Sequence, residues 1–141
     1  ITPMSRAILY DGIIGVQSAF HHILETLESG NQYQGFMLGK LLKNPEVTGV
    51  LRDYHQERIK KGLQARLISE TTYKEEAQKW GYDGVQIRYS TQRLPVGIFL
   101  FKNRVMMIAG SENPGACVIE WEELYDDHKT FFEDIWKNAL Q

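Results

Sequence analysis

Residues 95–115, PVGIFLFKNRVMMIAGSENPG, contain two apolar runs, a short polar link and a polar loop. The runs at 96–101 and 104–109 have the length and the aliphatic and aromatic content of buried strands. The link, Lys102 and Asn103, has the length of a hairpin turn. The loop at 110–115 consists largely of residues that favour turns. This stretch therefore predicts a β-hairpin whose second strand ends in a polar loop.

The rest of the chain alternates between strand and helix patterns. Short apolar runs bounded by turn residues predict strands, and apolar residues three or four apart predict helices. Gly62 follows the second helix, where a glycine in the left-handed conformation commonly ends a helix. The predicted strands lie at 6–12, 32–39, 64–69, 84–90, 96–101, 104–110 and 116–121, and the predicted helices at 13–27, 47–61, 71–81 and 121–139.

This order of elements is β-α-β-α-β-α-β, then β-β-β, then α. It predicts an α/β fold with a mixed β-sheet flanked by helices. The length of 141 residues predicts a single domain spanning 1–141.

Composition and charge exclude several classes of protein. The chain is 43% hydrophobic and 24% charged, and its net charge of -2 gives no overall basic field to attract nucleic acid. No apolar run approaches the ~20 residues that cross a bilayer, and no signal peptide is predicted. The single cysteine, Cys117, lies in an apolar run and is predicted to be a buried free thiol. We therefore expect a cytoplasmic protein with no membrane partner.

The histidines do not have the spacing of a metal site. His21 and His22 are adjacent, so on a helix their side chains point about 100° apart. His55 lies between two acidic residues on a helix face predicted to be solvated. His128 falls on the apolar stripe of the last helix, where a core or interface role is favoured. We therefore predict no catalytic residue, no metal and no cofactor.

Two clusters of charge have simple structural interpretations. An acidic run at the start of the last helix predicts a solvated face that complements the helix dipole. A basic cluster near the end of the second helix is either a solvated helix end or a contact for an anion. The acidic run is Glu120, Glu122, Glu123, Asp126 and Asp127, and the basic cluster is Arg58, Lys60, Lys61 and Arg66.

The polar loop is the best candidate for a binding site. Gly110 gives a flexible backbone, and the Ser111 hydroxyl and Asn113 amide can donate to a phosphate or sugar oxygen. A plain turn explains the same residues equally well. Tyr10 and Asp11 form a second candidate contact, because they open a helix whose N-terminus favours anions.

The loop and its strands resemble the phospholipase D signature, H-x-K-x4-D followed six residues later by G-S-x-N. Alignment on Gly110, Ser111 and Asn113 puts Val96 at the histidine, Ile98 at the lysine and Asn103 at the aspartate. Valine offers no nucleophile and isoleucine cannot neutralise phosphate charge. The resemblance therefore implies a phospholipase D-like half from which the catalytic residues are missing.

Four segments are similar to the non-catalytic phospholipase D-like domain of TrmB-type transcriptional regulators from archaea and some bacteria. The segments are ILYDGIIGVQSAFHHIL, YHQERIKKGLQARLI, LPVGIFLFKNRVMMIAG and FFEDIWK, and together they extend over 7–137. In that family the domain follows a winged helix-turn-helix and has dimerisation and effector-sensing roles.

The resemblance implies a homodimer that senses a sugar or anion. It also implies that DNA is contacted only by a winged helix-turn-helix upstream of this chain. Two alternatives remain. The first is a divergent phosphodiesterase or nuclease that uses His55 or His128. The second is a dimerisation module without a ligand.

Overall fold

Seven strands form one mixed sheet in the computed structural model, which describes residues 5–140. Every strand predicted from the sequence is present. They are β1 (Arg6–Tyr10), β2 (Gln32–Phe36), β3 (Gln64–Glu70), β4 (Val85–Ser90), β5 (Ile98–Phe101), β6 (Arg104–Ala109) and β7 (Gly115–Glu120).

The helices cover both faces of this sheet. They are α1 (Gly12–Thr26), α2 (Pro45–Lys61), α3 (Lys74–Ala77) and α4 (Glu122–Asn138). Asn44 caps α2 by accepting from the backbone N–H groups of Glu46 and Val47 at 2.9 and 3.3 Å. Gly62 ends α2 with φ of 77°, so the predicted left-handed cap is confirmed.

The strand order is β1-β7-β6-β5-β2-β3-β4. The pairs β2–β3 and β3–β4 are parallel and the other four pairs are antiparallel. As a result β1, β2, β3, β4 and β6 run in one direction. We call the edge of the sheet where these five strands finish the carboxyl end, and the edge where they start the amino end.

The predicted hairpin lies at the centre of the sheet. β5 pairs with β6 from Ile98↔Met107 to Phe101↔Arg104. Lys102 and Asn103 both have positive φ, 43° and 62°, as a two-residue turn with the twist of a hairpin requires. Asparagine tolerates this conformation better than most residues. The hairpin link is therefore confirmed, and it lies at the amino end.

Helices α1 and α2 pack on one face of the sheet over the larger core cluster. Phe20 of α1 and Tyr54 of α2 pack with ring centroids 4.8 Å apart and ring planes tilted by 39°, and Phe20 also meets Phe99 of β5 edge-on. All three side chains are buried. This packing fixes the position of α1 relative to β1 and β7.

Helix α4 packs on the opposite face. Phe132 and Trp136 are buried in a second cluster with Phe36, whereas Trp121 before the helix is half exposed. The guanidinium groups of Arg66 and Arg88 lie 5.2 and 4.2 Å from the centre of the Trp136 ring. These contacts attach α4 to β3 and β4 through cation–π attraction.

Three predicted elements are shorter or less regular than expected. β1 ends at Tyr10 rather than at residue 12, because α1 begins at Gly12. β2 ends at Phe36 rather than at residue 39, because Gly39 has φ of 56° and begins a 3₁₀ turn, Gly39–Lys43. The helix predicted at 71–81 is a single α-helical turn, α3, between two 3₁₀ turns. Ala77 alone in this segment is buried, so little apolar packing supports a longer helix.

The prediction of a solvated face around His55 is wrong. His55 is buried, stacked on Trp80 at 5.3 Å between ring centroids, and it accepts a 2.9 Å hydrogen bond from Nε of Arg58. Arg58 is fully buried and donates to the carbonyl oxygens of Leu63 and Asp83 at 2.8 Å each. The segment after α3 folds over this helix face, and that long-range cover is not visible in helical periodicity.

The predicted basic cluster does not form. The Arg58 guanidinium is enclosed in the core, and Arg66 lies on the α4 face, where it pairs with Glu133 at 2.6 Å. Lys61 reaches the carbonyl oxygen of Leu24, and Lys60 lies 3.4 Å from Glu57. Arg66 and Lys61 contact other elements, and Lys60 pairs within α2, so the hypothesis of a shared anion contact is withdrawn.

Glu120 and Cys117 also differ from their predictions. Glu120 is the last residue of β7 and not part of the solvated start of α4, since Arg6 and Arg104 both donate to its carboxylate. Cys117 is a free thiol but only half-buried. Among residues 5–140, no helix has the length and apolarity needed to cross a membrane.

Candidate functional site

The loops that follow β1, β2, β3 and β6 meet at the carboxyl end of the sheet. They are joined there by the segments that lead into β5 and β7. Ligands commonly bind beyond the carboxyl ends of strands, since loops from several strands converge there. The topology therefore brings the predicted polar loop and the turn at Tyr10 and Asp11 to one edge.

A cleft of about 340 Å³ lies at this edge. We call it the carboxyl-end cleft. Its walls carry two cations, one carboxylate, two hydroxyl groups and two apolar side chains. The lining residues are Lys40, Glu70, Thr72, Tyr73, Arg93, Leu94 and Val96. Sequence reasoning missed six of these residues, because they lie in separate loops that share no local motif.

The polar loop lies at the same end but is exposed. Gly110 has φ of 95°, and an added Cβ would lie 2.5 Å from the carbonyl oxygen of Asn113, so only glycine fits. The Ser111 and Asn113 side chains are exposed to solvent. The Ser111 carbonyl oxygen accepts a 3.3 Å hydrogen bond from Nδ2 of Asn44. The loop is thus a tight turn attached to the start of α2.

Tyr10 and Asp11 are near the loop through their backbone alone. A Cβ built on Gly115 would lie 3.2 Å from the Tyr10 carbonyl oxygen. The Tyr10 side chain points instead to the α1 face, where its hydroxyl group lies 3.2 Å from Nδ1 of His22. Asp11 precedes α1 without a side-chain capping bond. The structure therefore brings the Tyr10 backbone to the loop and separates the Tyr10 ring from it.

The three positions of the phospholipase D signature are in different environments. Val96 is half-buried and lines the carboxyl-end cleft. Ile98 is buried in the cluster beneath α4, and Asn103 lies in the hairpin turn at the amino end. Val96 and Ile98 add only apolar surface. The cleft therefore has no nucleophile at the position where the signature would place one.

None of the four histidines of the chain lines this cleft. Burial, followed by the nearby Arg58 charge, lowers the pKa of His55 to about 3, and its Nδ1 is occupied by Arg58. His128 on α4 has Nδ1 2.9 Å from the Leu124 carbonyl oxygen, so this nitrogen carries the proton and donates. Both imidazoles are engaged away from the cleft.

A second and larger concavity lies on the α1 face. It runs between β1 and α1 and extends to the β5–β6 turn at the amino end, with an open volume of about 790 Å³. We call it the amino-end groove. Its lining includes Arg6, Tyr10, Gln17, Ser18, His21, His22, Glu25, Lys102 and Arg104.

A charged cluster lies at the base of the amino-end groove. Arg6 and Arg104 both donate to the Glu120 carboxylate, Arg104 through Nε at 3.1 Å. The bond from Arg6, more than any other cause, holds the pKa of Glu120 below its usual range. Burial and then the Arg104 charge lower the pKa of His22, whose Nε2 lies 3.9 Å from Glu120. Sequence reasoning missed this cluster because about 100 residues separate Arg6 from Arg104.

No protein-family model and no curated protein sequence matches this chain. Solved structures do match. TrmBL2, an archaeal chromatin protein whose structure shows a novel mode of DNA binding, superposes with a TM-score of 0.63 at 13% identity. The match covers 95% of this chain and 53% of TrmBL2, so the chain spans about half of that protein.

Two bacterial proteins match over nearly their whole length. Nuc, a phospholipase D family member from Salmonella typhimurium, superposes with a TM-score of 0.62 at 11% identity over 96% of this chain and 97% of Nuc. NucT from Helicobacter pylori gives 0.64 at 6% identity over 97% and 99%. Identities this low establish architecture alone. The mixed seven-stranded sheet with its flanking helices is a phospholipase D-like fold.

Proposed function

We propose that this chain is a non-catalytic domain of a TrmB-like transcriptional regulator, with effector-sensing and dimerisation roles. One observation carries the proposal. Val96 lines the carboxyl-end cleft at the position where the phospholipase D signature has its histidine, and its apolar side chain offers no nucleophile. Ile98, in place of the lysine, is buried beneath α4. The likeness to TrmBL2 over 95% of this chain supports the same conclusion.

The carboxyl-end cleft suits a sugar or a small anion. Lys40 and Arg93 supply cationic donors, and the Thr72 and Tyr73 hydroxyl groups can donate to or accept from a sugar oxygen. Leu94 and Val96 offer apolar surface for the carbon face of a ring. Ser111 and Asn113 lie on the exposed loop of the same edge and would contact a ligand that extends out of the cleft.

A second copy of the chain would pack on the half of the sheet that α4 covers least. The main sheet contacts of α4 are with β2, β4, β5 and β6. On β1, Leu9 is 74% exposed, and on β7 Cys117 and Ile119 are only half-buried. Burial of these apolar side chains would stabilise a dimer. An effector that binds one dimer arrangement better would shift the population and bias an attached DNA-binding domain.

The absence of catalysis is tested with bis(p-nitrophenyl) phosphate and with short single-stranded and duplex DNA. We expect product to form no faster than in buffer. A rate above buffer that His55→Ala or His128→Ala abolishes would establish the phosphodiesterase alternative and refute the proposal.

The effector role is tested by calorimetry with a panel of sugars and sugar phosphates. We expect a ligand whose affinity falls in Lys40→Ala and in the double variant Ser111→Ala/Asn113→Ala. A panel without any binder, in a protein that light scattering shows to be a dimer of twice 16.3 kDa, would favour the ligand-free dimerisation module. A monomer would contradict both the dimerisation role and that module.

A further inference from the structure

The amino-end groove lies away from the carboxyl-end cleft and has no role in the function proposed above. Its walls come from β1, from α1 and from the β5–β6 turn, three elements far apart in sequence. Such a concavity of about 790 Å³ is in the size range of pockets for small organic molecules.

Charge is concentrated at one end of this groove. Arg6, Lys102 and Arg104 supply three cations, and Glu25 and Glu120 supply two carboxylates, which leaves one positive charge. Glu25 is at the rim, 77% exposed and 3.9 Å from His21, so it screens the base only weakly. The groove is therefore locally positive on a chain whose net charge is -2.

The Arg104 guanidinium retains binding capacity. Its Nε donates to Glu120 and its Nη1 donates to the Lys102 carbonyl oxygen at 2.7 Å. Within residues 5–140, Nη2 of Arg104 has no hydrogen-bond partner. These two bonds hold the planar group in a fixed orientation with its free edge available. A preorganised guanidinium of this kind suits the oxygens of a phosphate.

The other end of the groove is polar and uncharged. Gln17 and Ser18 of α1 line it together with the Tyr10 ring. The Tyr10 hydroxyl and Nδ1 of His22 lie 3.2 Å apart and form a fixed polar pair between the two ends. Amide and hydroxyl groups at this end match the hydroxyl groups of a polyol.

We propose that the amino-end groove binds a small organic phosphate. The phosphate lies among Arg6, Lys102 and Arg104, and its hydroxylated body extends along α1 toward Gln17 and Ser18. The basic surface is confined to one end of a groove walled by a helix and a strand. It therefore suits a terminal phosphate better than the continuous backbone of a nucleic acid, which requires an extended basic surface.

The test uses ribose 5-phosphate as the probe, with ribose and inorganic phosphate as comparisons. Binding is followed by backbone amide chemical shifts of the ¹⁵N-labelled chain. We expect ribose 5-phosphate to shift the amides of Arg6, His22 and Arg104 and to bind more tightly than inorganic phosphate. Ribose alone should cause no shift. Equal affinity for inorganic phosphate would overturn the assignment of a polyol subsite.

Variants separate binding from a purely structural ion cluster. Arg104→Gln should weaken binding about 10-fold, because it removes a charge-assisted contact. Lys102→Gln should weaken it about 3-fold, and its exposed position at the hairpin turn keeps the fold intact even if Arg104→Gln does not fold.

The matched control is Lys79→Gln, which removes one exposed cation that lines neither the amino-end groove nor the carboxyl-end cleft. It should leave the affinity for ribose 5-phosphate unchanged. Absence of amide chemical-shift changes at about 10 mM ribose 5-phosphate would overturn the proposal, because this concentration sets the weakest affinity that the experiment detects. So would a loss of affinity in Lys40→Gln with none in Lys102→Gln, which would place the phosphate in the other cleft.

Discussion

The two ends of the sheet differ in how their polar groups are used. At the amino end, Arg58 is buried against His55 and two carbonyl oxygens, and Glu120 is bonded by two arginines. At the carboxyl end, Lys40 and Arg93 are exposed and Ser111 and Asn113 face solvent. The shifted pKa values of His22, His55 and Glu120 all belong to groups directed to the amino end.

This difference shows that the buried polar network around Arg58 lies apart from the edge where the effector is expected to bind. Perturbed pKa values often mark catalytic sites, but they also arise in structural networks. Here the network of Arg58 joins α2 to the segments that start β3 and β4. The carboxyl end has the exposed polar loops of a binding surface without such a network. Mutation of the buried Arg58 network should therefore lower stability, whereas mutation of the exposed polar side chains at the carboxyl end should change stability little.

Arg58→Met tests the amino end most severely. The change leaves Nδ1 of His55 and the carbonyl oxygens of Leu63 and Asp83 without their buried donor. We expect the free energy of unfolding to fall by about 3 kcal/mol in urea denaturation. Arg93→Met at the carboxyl end is the matched control, and its exposed side chain should make the change smaller than about 0.5 kcal/mol. Equal losses of unfolding free energy in Arg58→Met and Arg93→Met would show that the two ends of the sheet do not differ in this way.

Gly97→Ala tests whether the carboxyl end also contains a rigid backbone. Gly97 has φ of 73°, and a Cβ there would lie 2.4 Å from the carbonyl oxygen of Ile108. We expect a loss of about 2 kcal/mol from the unfavourable φ and the contact with the backbone. Gly49→Ala on α2, where a Cβ meets nothing within 4 Å, should instead gain about 0.5–1 kcal/mol. If Gly97→Ala leaves the free energy of unfolding unchanged, the backbone at the carboxyl end can shift to accommodate the added Cβ.

His55 predicts a pH dependence of stability. Its folded pKa of about 3 is below the ordinary value of 6.5, so the unfolded chain binds an extra proton between these values. Stability is therefore complete above pH 6.5 and should fall by about 1.4 kcal/mol per pH unit toward pH 3. The decrease is measured by urea unfolding at pH 7 and pH 5. His55→Asn keeps an acceptor near Arg58 and cannot titrate. The stability of this variant should therefore fall less steeply between pH 7 and pH 5, by about 1.4 kcal/mol per pH unit at most, which is the contribution of one proton.

The sequence predicted the sheet and most of its helices because those elements depend on local patterns. The alternation in β4, the apolar runs of β5 and β6 and the Gly62 cap each lie within a few residues. The chemistry at both ends could not be predicted in the same way. Arg58 meets Asp83 across 25 positions and Arg6 meets Glu120 across 114. Only the fold brings such partners together, so the Arg58 charge, which appeared solvated in the sequence, is buried in the structure.

The smallest expected change in stability concerns the polar loop. This change decides whether a loss of effector affinity in a loop variant can be attributed to binding. Ser111 and Asn113 are exposed, and the bond from Asn44 uses the Ser111 backbone, which side-chain truncation preserves. Ser111→Ala/Asn113→Ala should therefore change the free energy of unfolding by less than about 0.5 kcal/mol. Thermal and urea denaturation measure this change. A loss of more than about 1 kcal/mol would show that these side chains stabilise the turn, and any loss of effector affinity in this variant could then be a consequence of misfolding of the loop.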